Sequence, residues 1–389
     1  MQVQAAQPAQ AQMNPWQINM QQRNLVLRQS VKRKQQIAST TFNPANGNVY
    51  VCNNILAVGL ILRFIVEVTA TFAELGSGST AVTDFGAFNL ISNMQFTDLQ
   101  NNQRHNCSGL QLGMTASMKD RQPWPSAASL AQKTGNFGGN WPICVATAPT
   151  TGATGSARTV YEIPIAYDDT DLRGAIYANV VSNQMNIQFT VNPNPAPATG
   201  DDTFAVFYGS GASSISSITI TVYQEYLDNL PIGKQGIVLP QLDISTLYQL
   251  QYTNFTNIPQ NQDYYIQYTN FRRFMSLTGI YNSTGTVGGR LTGTDINYWA
   301  LVSANLTFIF KIDPLEAARI TRRILGTDPP PGTYYFGSRR QPINTLATGN
   351  MQLDLNPAVA GGSAYWYNMW EFFAQQNTLT QAGSLPANG

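Results

Sequence analysis

The residues of this chain that could perform acid–base or metal chemistry are few and poorly spaced for it. A single histidine, His105, lies in the Asn- and Gln-rich segment NNQRHNCS, which predicts an exposed residue rather than a base or a ligand. Asp168, Asp169 and Asp171 could form a calcium cluster or a carboxylate pair, but capping of a short helix explains them better. The sequence has no nucleophile elbow, phosphate loop or dinucleotide-binding motif. It therefore predicts no enzyme, no cofactor and no metal site.

The composition indicates a surface that is polar but weakly charged. Only 11% of the 389 residues are charged and the net charge is +1, whereas an average soluble domain has about 25% charged residues. Neutral polar groups can hydrogen-bond across a contact without the cost of desolvating an ion, which suits subunit packing and also suits an adhesin. The low net charge gives no general attraction to nucleic acid. Cys52, Cys107 and Cys144 have no metal-like pairing, so we expect reduced, buried thiols.

The strongest charge asymmetry is a basic N-terminal segment, which predicts an amphipathic helix from Pro15 to Ile37. Apolar residues recur on one helical face, and no acidic residue precedes Glu67. The residues predicted to form the functional surface of this arm are Trp16, Met20, Arg23, Leu27, Arg28, Val31, Lys32, Arg33 and Lys34. Three interpretations compete: a helix packed on its own subunit, a helix lying on an anionic membrane, and a genome-binding tail. The apolar face favours the membrane.

Beyond the arm, the chain is β-rich and its two halves repeat one pattern. Matching segments lie 210, 211 and 212 residues apart: Arg63-Phe64 with Arg273-Phe274, Thr83-Asp84 with Thr294-Asp295, and Asn93–Phe96 with Asn305–Phe310. In each half a helix, after Asp168 or over Asp313–Gly326, leads to an alternating strand, MNIQFTVNP or MQLDLNP, and then to an aromatic strand. About eight strands per unit predict an all-β chain of two tandem eight-stranded jelly rolls with short inserted helices. Periodicity alone also allows an immunoglobulin-like sandwich.

The predicted organisation has three parts. Residues 1–38 are the arm, residues 39–238 the first jelly roll, and residues 239–389 the second jelly roll with a C-terminal tail. Residues 109–160 are predicted to be an insertion with a short helix near Leu110–Met118. Pro231, Gly233 and Pro240 are predicted to fix the angle between the rolls. Three such chains around a threefold axis would present six similar domains, which suits a hexagonal lattice.

Seven collinear motifs extend over most of the chain. They are VTDFGAFNLI (82–91), NNQRHNCSG (101–109), PIAYDDTDLRGAIYANV (164–180), TVYQEYLDNLPIGKQG (221–236), LPQLDISTLY (239–248), GTDINY (293–298) and ARITRRILGTDPPPGTYYF (318–336). In these motifs the chain resembles the major capsid proteins of the tectiviruses, tailless bacteriophages with an internal membrane and a double jelly-roll coat protein. Residues 109–160 and the tail match that family poorly.

The resemblance implies a homotrimeric, pseudo-hexagonal capsomer in an icosahedral shell around an internal membrane and double-stranded DNA. It implies that the helix of the arm faces this membrane and that residues 109–160 lie on the outer face. The partners would be further copies of the chain, the membrane, and vertex and minor capsid proteins, with no sequence-specific contact to nucleic acid. The protein would reside in the virion, and in the host cytoplasm during assembly.

A function from another class remains as the alternative. A two-domain β-sandwich adhesin or carbohydrate-binding protein would also have a weakly charged, polar surface. It would predict a secreted protein with a signal sequence, of which the N-terminus shows no sign. It would predict neither a basic amphipathic arm nor a trimer.

Overall fold

Antiparallel strands dominate the secondary structure. The computed structural model describes residues 14–78, 80–82, 86–120, 144–179, 184–192, 207–208, 214–234, 236–268, 272–283, 291, 295–303, 308–325, 332–337, 343–344, 351–358 and 364–375.

The first half contains, in chain order, α1 (Pro15–Gln29), β1 (Val31–Phe42), β2 (Val49–Cys52), β3 (Leu60–Phe72), β4 (Ala81–Val82), β5 (Ile91–Thr97), β6 (Gln103–Cys107), α2 (Gly109–Asp120), β7 (Cys144–Thr147), β8 (Gly155–Pro164), β9 (Ile176–Tyr177), β10 (Asn186–Val191), β11 (Phe207–Tyr208) and β12 (Ile215–Asp228). Short 3₁₀ turns cover Pro44–Asn46 and Gly86–Leu90.

The second half continues with β13 (Ile232–Gly233), β14 (Gly236–Ile237), α3 (Gln241–Ile244), β15 (Thr246–Ile258), β16 (Tyr264–Tyr268), β17 (Arg272–Ser283), β18 (Ile296–Val302), β19 (Phe308–Ile312), α4 (Pro314–Leu325), β20 (Thr333–Gly337), β21 (Ile343–Asn344), β22 (Met351–Pro357) and β23 (Ala364–Gln375).

Two facing sheets form the first roll. One has the strand order β1-β12-β3-β8, with β7 beside β8, and the other has the order β2-β10-β5-β6. The strands alternate because successive side chains point to opposite faces of a sheet, so every second residue of β3 and β10 is buried. Phe64 and Phe72 from the first sheet, and Phe96 and Phe189 from the second, belong to one core cluster. This core holds the two sheets together.

The second roll repeats this topology strand for strand. The order β15-β23-β17-β20 corresponds to β1-β12-β3-β8, and β16-β22-β18-β19 corresponds to β2-β10-β5-β6. The helices correspond as well, since α4 lies between β19 and β20 as α2 lies between β6 and β8. Trp299, Leu353 and Trp366 are buried in its own core cluster. The predicted pair of tandem eight-stranded jelly rolls is confirmed.

A continuous sheet joins the rolls. Strand β6 of the first roll pairs in parallel with β15 of the second, with Asn106 opposite Gln251. The two four-stranded sheets on either side of this contact therefore form one sheet, β2-β10-β5-β6-β15-β23-β17-β20. The first core cluster also crosses the sequence boundary, since Tyr248, Leu250, Met369 and Phe373 of the second half belong to it.

Two of the predicted correspondences between the halves are wrong. Residues 168–175 form a turn rather than a helix, in which the Asp168 carboxylate accepts hydrogen bonds from the amides of Thr170 and Asp171, both at 2.7 Å. The counterpart of α4 is α2. Asn93–Phe96 lies in β5, whose counterpart is β18, whereas the matched segment leads into β19. Short sequence matches between the halves do not show which strands are equivalent, because equivalence depends on which strands pair in the sheet. Thr83-Asp84, Thr294 and residues 305–307 lie outside the described residues.

The prediction that residues 109–160 are an insertion into the first jelly roll is also wrong for those of them that the structure describes. The short helix is confirmed as α2, but Leu110, Leu112 and Met114 belong to the first core cluster. Strand β8 pairs with β3 along its whole length. The glycines of this region reflect close packing, because a Cβ added to Gly109 would lie 2.4 Å from the Phe88 carbonyl oxygen. Residues 121–143 lie outside the described residues.

The predicted helix of the arm is correct at its start and wrong at its end. The Asn14 side chain and Pro15 begin α1 in a capping box, but the helix stops at Gln29. From Val31 onward the chain forms β1, which pairs with β12 down to Phe42. Main-chain pairing to a distant strand overrides the local helical pattern here. We therefore propose that the first roll begins at Val31. None of the helices in the described part of the chain is both long and apolar enough to cross a membrane.

Candidate functional site: the N-terminal arm and the seam between the rolls

Polar side chains of α1 attach the helix to α3. Asn19 is buried, donates from Nδ2 to Asp243 Oδ1 at 2.9 Å, and accepts from the Leu242 amide at 2.9 Å. Arg23 donates from Nε and Nη2 to the two carboxylate oxygens of Asp243 at 2.6 and 2.5 Å. Val26, one turn further along the same face, is fully buried in an apolar cluster. The helix is thus clamped to its own subunit through Asn19, Arg23 and Val26.

The electrostatics of this clamp favour the charged pair. Hydrogen bonding to Asp243 raises the pKa of Arg23, and burial opposes that rise only in part. Asp171 adds a second carboxylate 3.5 Å from Arg23 Nη2. Removing one partner of a buried ion pair typically costs about 3–5 kcal/mol, because the other charge remains buried and unpaired. Detaching α1 would break the hydrogen bonds of Asn19 and Arg23 to the Asp243 carboxylate together.

The structure separates the predicted arm residues into two groups, and the first group lies on α1. Trp16 and Met20 are 51% and 56% exposed, and Arg28 is exposed as well. Leu27 instead packs partly against the cluster that contains Val26, and Arg23 points inward to Asp243. The residues predicted to form one apolar face therefore do not act together: Leu27 packs on the subunit, whereas Trp16 and Met20 face solvent. Two further apolar side chains of the outward surface, Ile18 and Leu25, were missed by the sequence analysis.

The second group lies on β1 and is occupied by contacts within the chain. Lys32 lies 3.2 Å from carboxylate oxygens of both Asp169 and Glu225, and Arg33 lies 2.7 Å from Asp228. Lys34 Nζ lies 4.7 Å from the centre of the Tyr223 ring. Val31, the remaining residue of the predicted face, is 48% exposed at the start of this strand.

A polar seam connects the two rolls beside the β6–β15 contact. Buried Arg104 donates from Nε to Asp98 Oδ2 and from Nη1 to the Gly174 carbonyl, both at 2.8 Å. Gly174 in turn donates its amide to the Asp243 carbonyl at 3.0 Å. This glycine has φ +94°, and an added Cβ would lie 2.7 Å from the Cβ of Tyr248. The seam therefore requires glycine at this position and connects β6 to α3, the element that also holds α1.

His105 belongs to this seam, and the prediction of an exposed histidine is wrong. Its side chain is fully buried between the rings of Phe96 and Tyr248, and its Nδ1 accepts a hydrogen bond from the Leu250 amide at 3.1 Å. Burial lowers the pKa of His105 to about 3. The neutral ring is therefore a fixed hydrogen-bond acceptor that holds β15 against β6. The polar neighbours in sequence gave no sign of this, because the covering strand is distant in the chain.

The predicted junction residues lie in two different elements. Pro231 and Gly233 belong to the β13–β14 hairpin, whose base is closed by a 2.8 Å hydrogen bond from the Val238 amide to the Pro231 carbonyl. Pro240 starts α3, because its carbonyl accepts from the amides of Asp243 and Ile244. Their control of the angle between the rolls stays a prediction. Direct contacts between the rolls are made by the Gly174 amide, by His105 Nδ1 and by the pairing of Asn106 with Gln251.

The free thiols are buried where the structure describes them. Cys52 and Cys107 form no disulfide and belong to the first core cluster. Burial raises the pKa of both thiols. The side chain of Cys144 lies outside the described residues.

Sequence comparison identifies related proteins over almost the whole chain. Residues 2–230 match the family described as P3 major capsid protein N-terminal, and residues 245–387 match P3 major capsid protein C-terminal. The major capsid protein P3 of Enterobacteria phage PRD1 is 35% identical over 378 residues, which cover 94% of this chain and 93% of that protein.

Structure comparison identifies relatives of much lower identity. The STIV MCP in its crystal structure has a TM-score of 0.63 at 11% identity, covering 91% of this chain and 99% of that chain. A chain in the atomic structure of Sulfolobus Turreted Icosahedral Virus has a TM-score of 0.62 at 13% identity, covering 92% and 94%. The Faustovirus major capsid protein has a TM-score of 0.52 at 8% identity, covering 90% and 91%. At such identities the likeness concerns the fold alone.

Proposed function

Because this chain belongs to the P3 major capsid protein family, we propose that three copies close around a threefold axis into a capsomer of nearly hexagonal outline. The chain is a major capsid protein, a structural component of the virion that assembles with further copies of itself. The family decides against the adhesin alternative. The observation that supports the trimer is the strand-for-strand correspondence of the two rolls. Two equivalent domains per chain give six per trimer, and six similar units can meet six neighbours.

The trimer is tested by the mass of the purified protein in solution. Size-exclusion chromatography with light scattering should give a particle of three chains at concentrations well below those of the assembled shell. A particle of one chain or two chains would overturn the proposed capsomer, even if the protein still assembles at high concentration.

We further propose that the outward surface of α1 faces a lipid membrane inside the shell. Trp16 and Met20 are exposed along one side of this surface, Ile18 and Leu25 along the other, and Arg28 is exposed between them. Apolar side chains flanked by cations suit the interface of an anionic bilayer. The genome-binding alternative is weaker, since the contacts of Lys32 and Arg33 with acidic residues of the same chain reduce the charge available to phosphate. Of the predicted arm residues, Trp16, Met20 and Arg28 remain candidates for lipid contact.

Vesicle binding tests this role directly. The Trp16→Ser, Met20→Ser variant should bind vesicles of mixed phosphatidylglycerol and phosphatidylcholine at least tenfold more weakly than the parent protein, or about 1.4 kcal/mol. A matched control is Val49→Ser, Val51→Ser, which removes two similarly exposed apolar residues from β2 of the first roll. Equal binding by the α1 variant and the parent protein would overturn the membrane-facing role.

The remaining features of the proposal follow from the family resemblance. The shell is proposed to be icosahedral, to enclose double-stranded DNA within its membrane, and to be completed by vertex and minor capsid proteins. Assembly is proposed to take place in the host cytoplasm. The chain is proposed to act through assembly, without catalysis and without sequence-specific contact to nucleic acid.

A further inference from the structure

A short hairpin beside α1 exposes two isoleucines. Strands β13 and β14 pair antiparallel with Ile232 opposite Ile237, so both side chains project from the same face of the ribbon. Ile232 is 82% exposed and Ile237 is 44% exposed. Among the large apolar side chains whose exposure the structure describes, Ile232 is the most exposed. The hairpin therefore presents an apolar pair to its surroundings.

The base of the hairpin is fixed next to α1. Leu230 and Leu239 flank the hairpin, and both pack in the cluster that contains Val26 and Leu27 of α1. Pro231 is buried at the base, whereas the described residues from Ile232 to Ile237 are exposed. The tip therefore projects into solvent from a base that packs in the same cluster as the C-terminal half of α1.

The hairpin and the last turn of α1 each carry an exposed cation. Lys234 lies in the turn of the hairpin and Arg28 lies in the last turn of α1, and both are exposed. Neither forms an ion pair with an acidic side chain in the described part of the chain. Single exposed apolar residues are ordinary, but two isoleucines that project together from one face of an exposed hairpin form a patch of the kind that marks an interaction site. Lys234, in the turn between the two strands, matches an anionic partner.

We propose that the β13–β14 hairpin is a second lipid-contacting element, which inserts Ile232 and Ile237 into the interface of an anionic bilayer beside α1. This inference rests on the proposed membrane-facing role of α1. β-Branched side chains enter the apolar layer and Lys234 remains at the level of the lipid phosphates, as is typical of amphipathic anchors. Two separate contacts would fix the orientation of the subunit on the membrane, which one helix alone leaves free to rotate about its axis.

The test uses the full-length protein and the same mixed phosphatidylglycerol vesicles, with phosphatidylcholine vesicles for comparison. The Ile232→Ser, Ile237→Ser variant should bind the anionic vesicles about tenfold more weakly. Lys234→Gln should weaken that binding about fivefold and leave binding to phosphatidylcholine unchanged. Because these residues are exposed, the thermal midpoint of each variant should equal that of the parent protein. The Val49→Ser, Val51→Ser variant is again the control.

The outcomes separate this inference from the proposal on which it rests. Unchanged binding by the hairpin variant, with weaker binding by the Trp16→Ser, Met20→Ser variant, overturns the hairpin role and leaves the α1 role standing. Unchanged binding by both variants overturns both roles. Unchanged vesicle binding together with a changed particle mass assigns the hairpin to contact with a second copy of the chain, and so also overturns the lipid role.

Discussion

The sheets β2-β10-β5-β6 and β16-β22-β18-β19 have the same strand order but differ on the face turned away from the core. In the first sheet this face carries neutral side chains. Asn93 donates from its amide to Asn106 Oδ1 at 2.8 Å, and Gln188 on β10 lies opposite Gln95 on β5. Amides can donate and accept at any ordinary pH, so this surface keeps its hydrogen bonds without gaining or losing protons.

The corresponding face of the second sheet carries a cluster of titratable groups. The hydroxyl of Tyr298 lies within hydrogen-bonding reach of both Asp263 and Asp354, but it has only one proton to donate. Asp354 is 2% exposed, and no described group donates to its Oδ1. Burial, and next the charge of Asp263, raise the pKa of Asp354 to about 6. Lys311 Nζ lies over the Tyr298 ring, 3.6 Å from its centre.

The comparison shows which features the doubled topology fixes. The core-facing residues are apolar in both sheets because the fold buries them. The fold does not hold the outward residues to one type, and the two sheets carry amides in one case and carboxylates in the other. The second sheet is therefore expected to be the one whose stability depends on pH.

The largest expected effect tests the equivalence of the core faces. Aligned on their Asn-Pro ends, β10 and β22 place Phe189 at the position of Leu353, and both side chains are buried. Phe189→Ala and Leu353→Ala should lower the free energy of unfolding by about 3–5 and 2–5 kcal/mol, measured from thermal or denaturant unfolding. The outward neighbours provide controls, since Gln188→Ala and Gln352→Ala should cost about 0.5 kcal/mol or less. If either core variant were as stable as its control, the core faces of the two sheets would not be equivalent.

An intermediate effect is expected from Asp354→Asn. The folded pKa of about 6 is higher than the ordinary aspartate value of about 3.9. The folded state therefore holds this proton more tightly, and the parent protein loses stability as the pH rises from about 4 through 6. The amide cannot ionise, so the variant should gain about 2 kcal/mol over the parent protein between about pH 4 and pH 8. Calorimetry at the two pH values measures this gain.

Asp263→Asn provides a control of opposite sign. The hydrogen bond from Tyr298, and next that from Asn356, lower the pKa of Asp263. Its carboxylate therefore stabilises the fold above the ordinary pKa, and this stability is lost as the pH falls through the folded pKa. The Asp263→Asn variant should be less stable than the parent protein at about pH 8, and this difference should shrink in acid. An equal effect of Asp354→Asn at both pH values would show that Asp354 does not titrate in this range.

The smallest effect is expected from placing a carboxylate in the first sheet. Asn93→Asp would place an oxygen against Asn106 Oδ1, which now accepts from the Asn93 amide, so that the Asn106 amide would have to turn over. The free energy of unfolding should fall by about 1 kcal/mol at about pH 8 and by less at about pH 4. Asn93→Ala, which loses the same hydrogen bond without adding charge, should show no such pH dependence. A loss of equal size at both pH values for Asn93→Asp would contradict the comparison.

The strands and helix starts that depend on neighbouring residues could be predicted from the sequence. Alternation identified β10 and β22, and Asn14 with Pro15 marked the start of α1. The end of α1 was missed because Val31 and the residues after it pair with β12, a strand far along the chain. The clamp of the arm was missed for the same reason, since Arg23 and Asp243 are 220 residues apart. Asn19 and Arg23 are polar, so a search for an apolar face could not find the side of the helix that is buried.

The unbroken sheet across β6 and β15 has a mechanical consequence. A force that bends one roll against the other must break the pairing of Asn106 with Gln251, and it must also pull the Leu250 amide from the buried ring of His105. The two rolls should therefore move as one rigid body rather than as two domains joined by a flexible linker. The compliance of a shell made of such chains would then lie in the contacts between neighbouring chains.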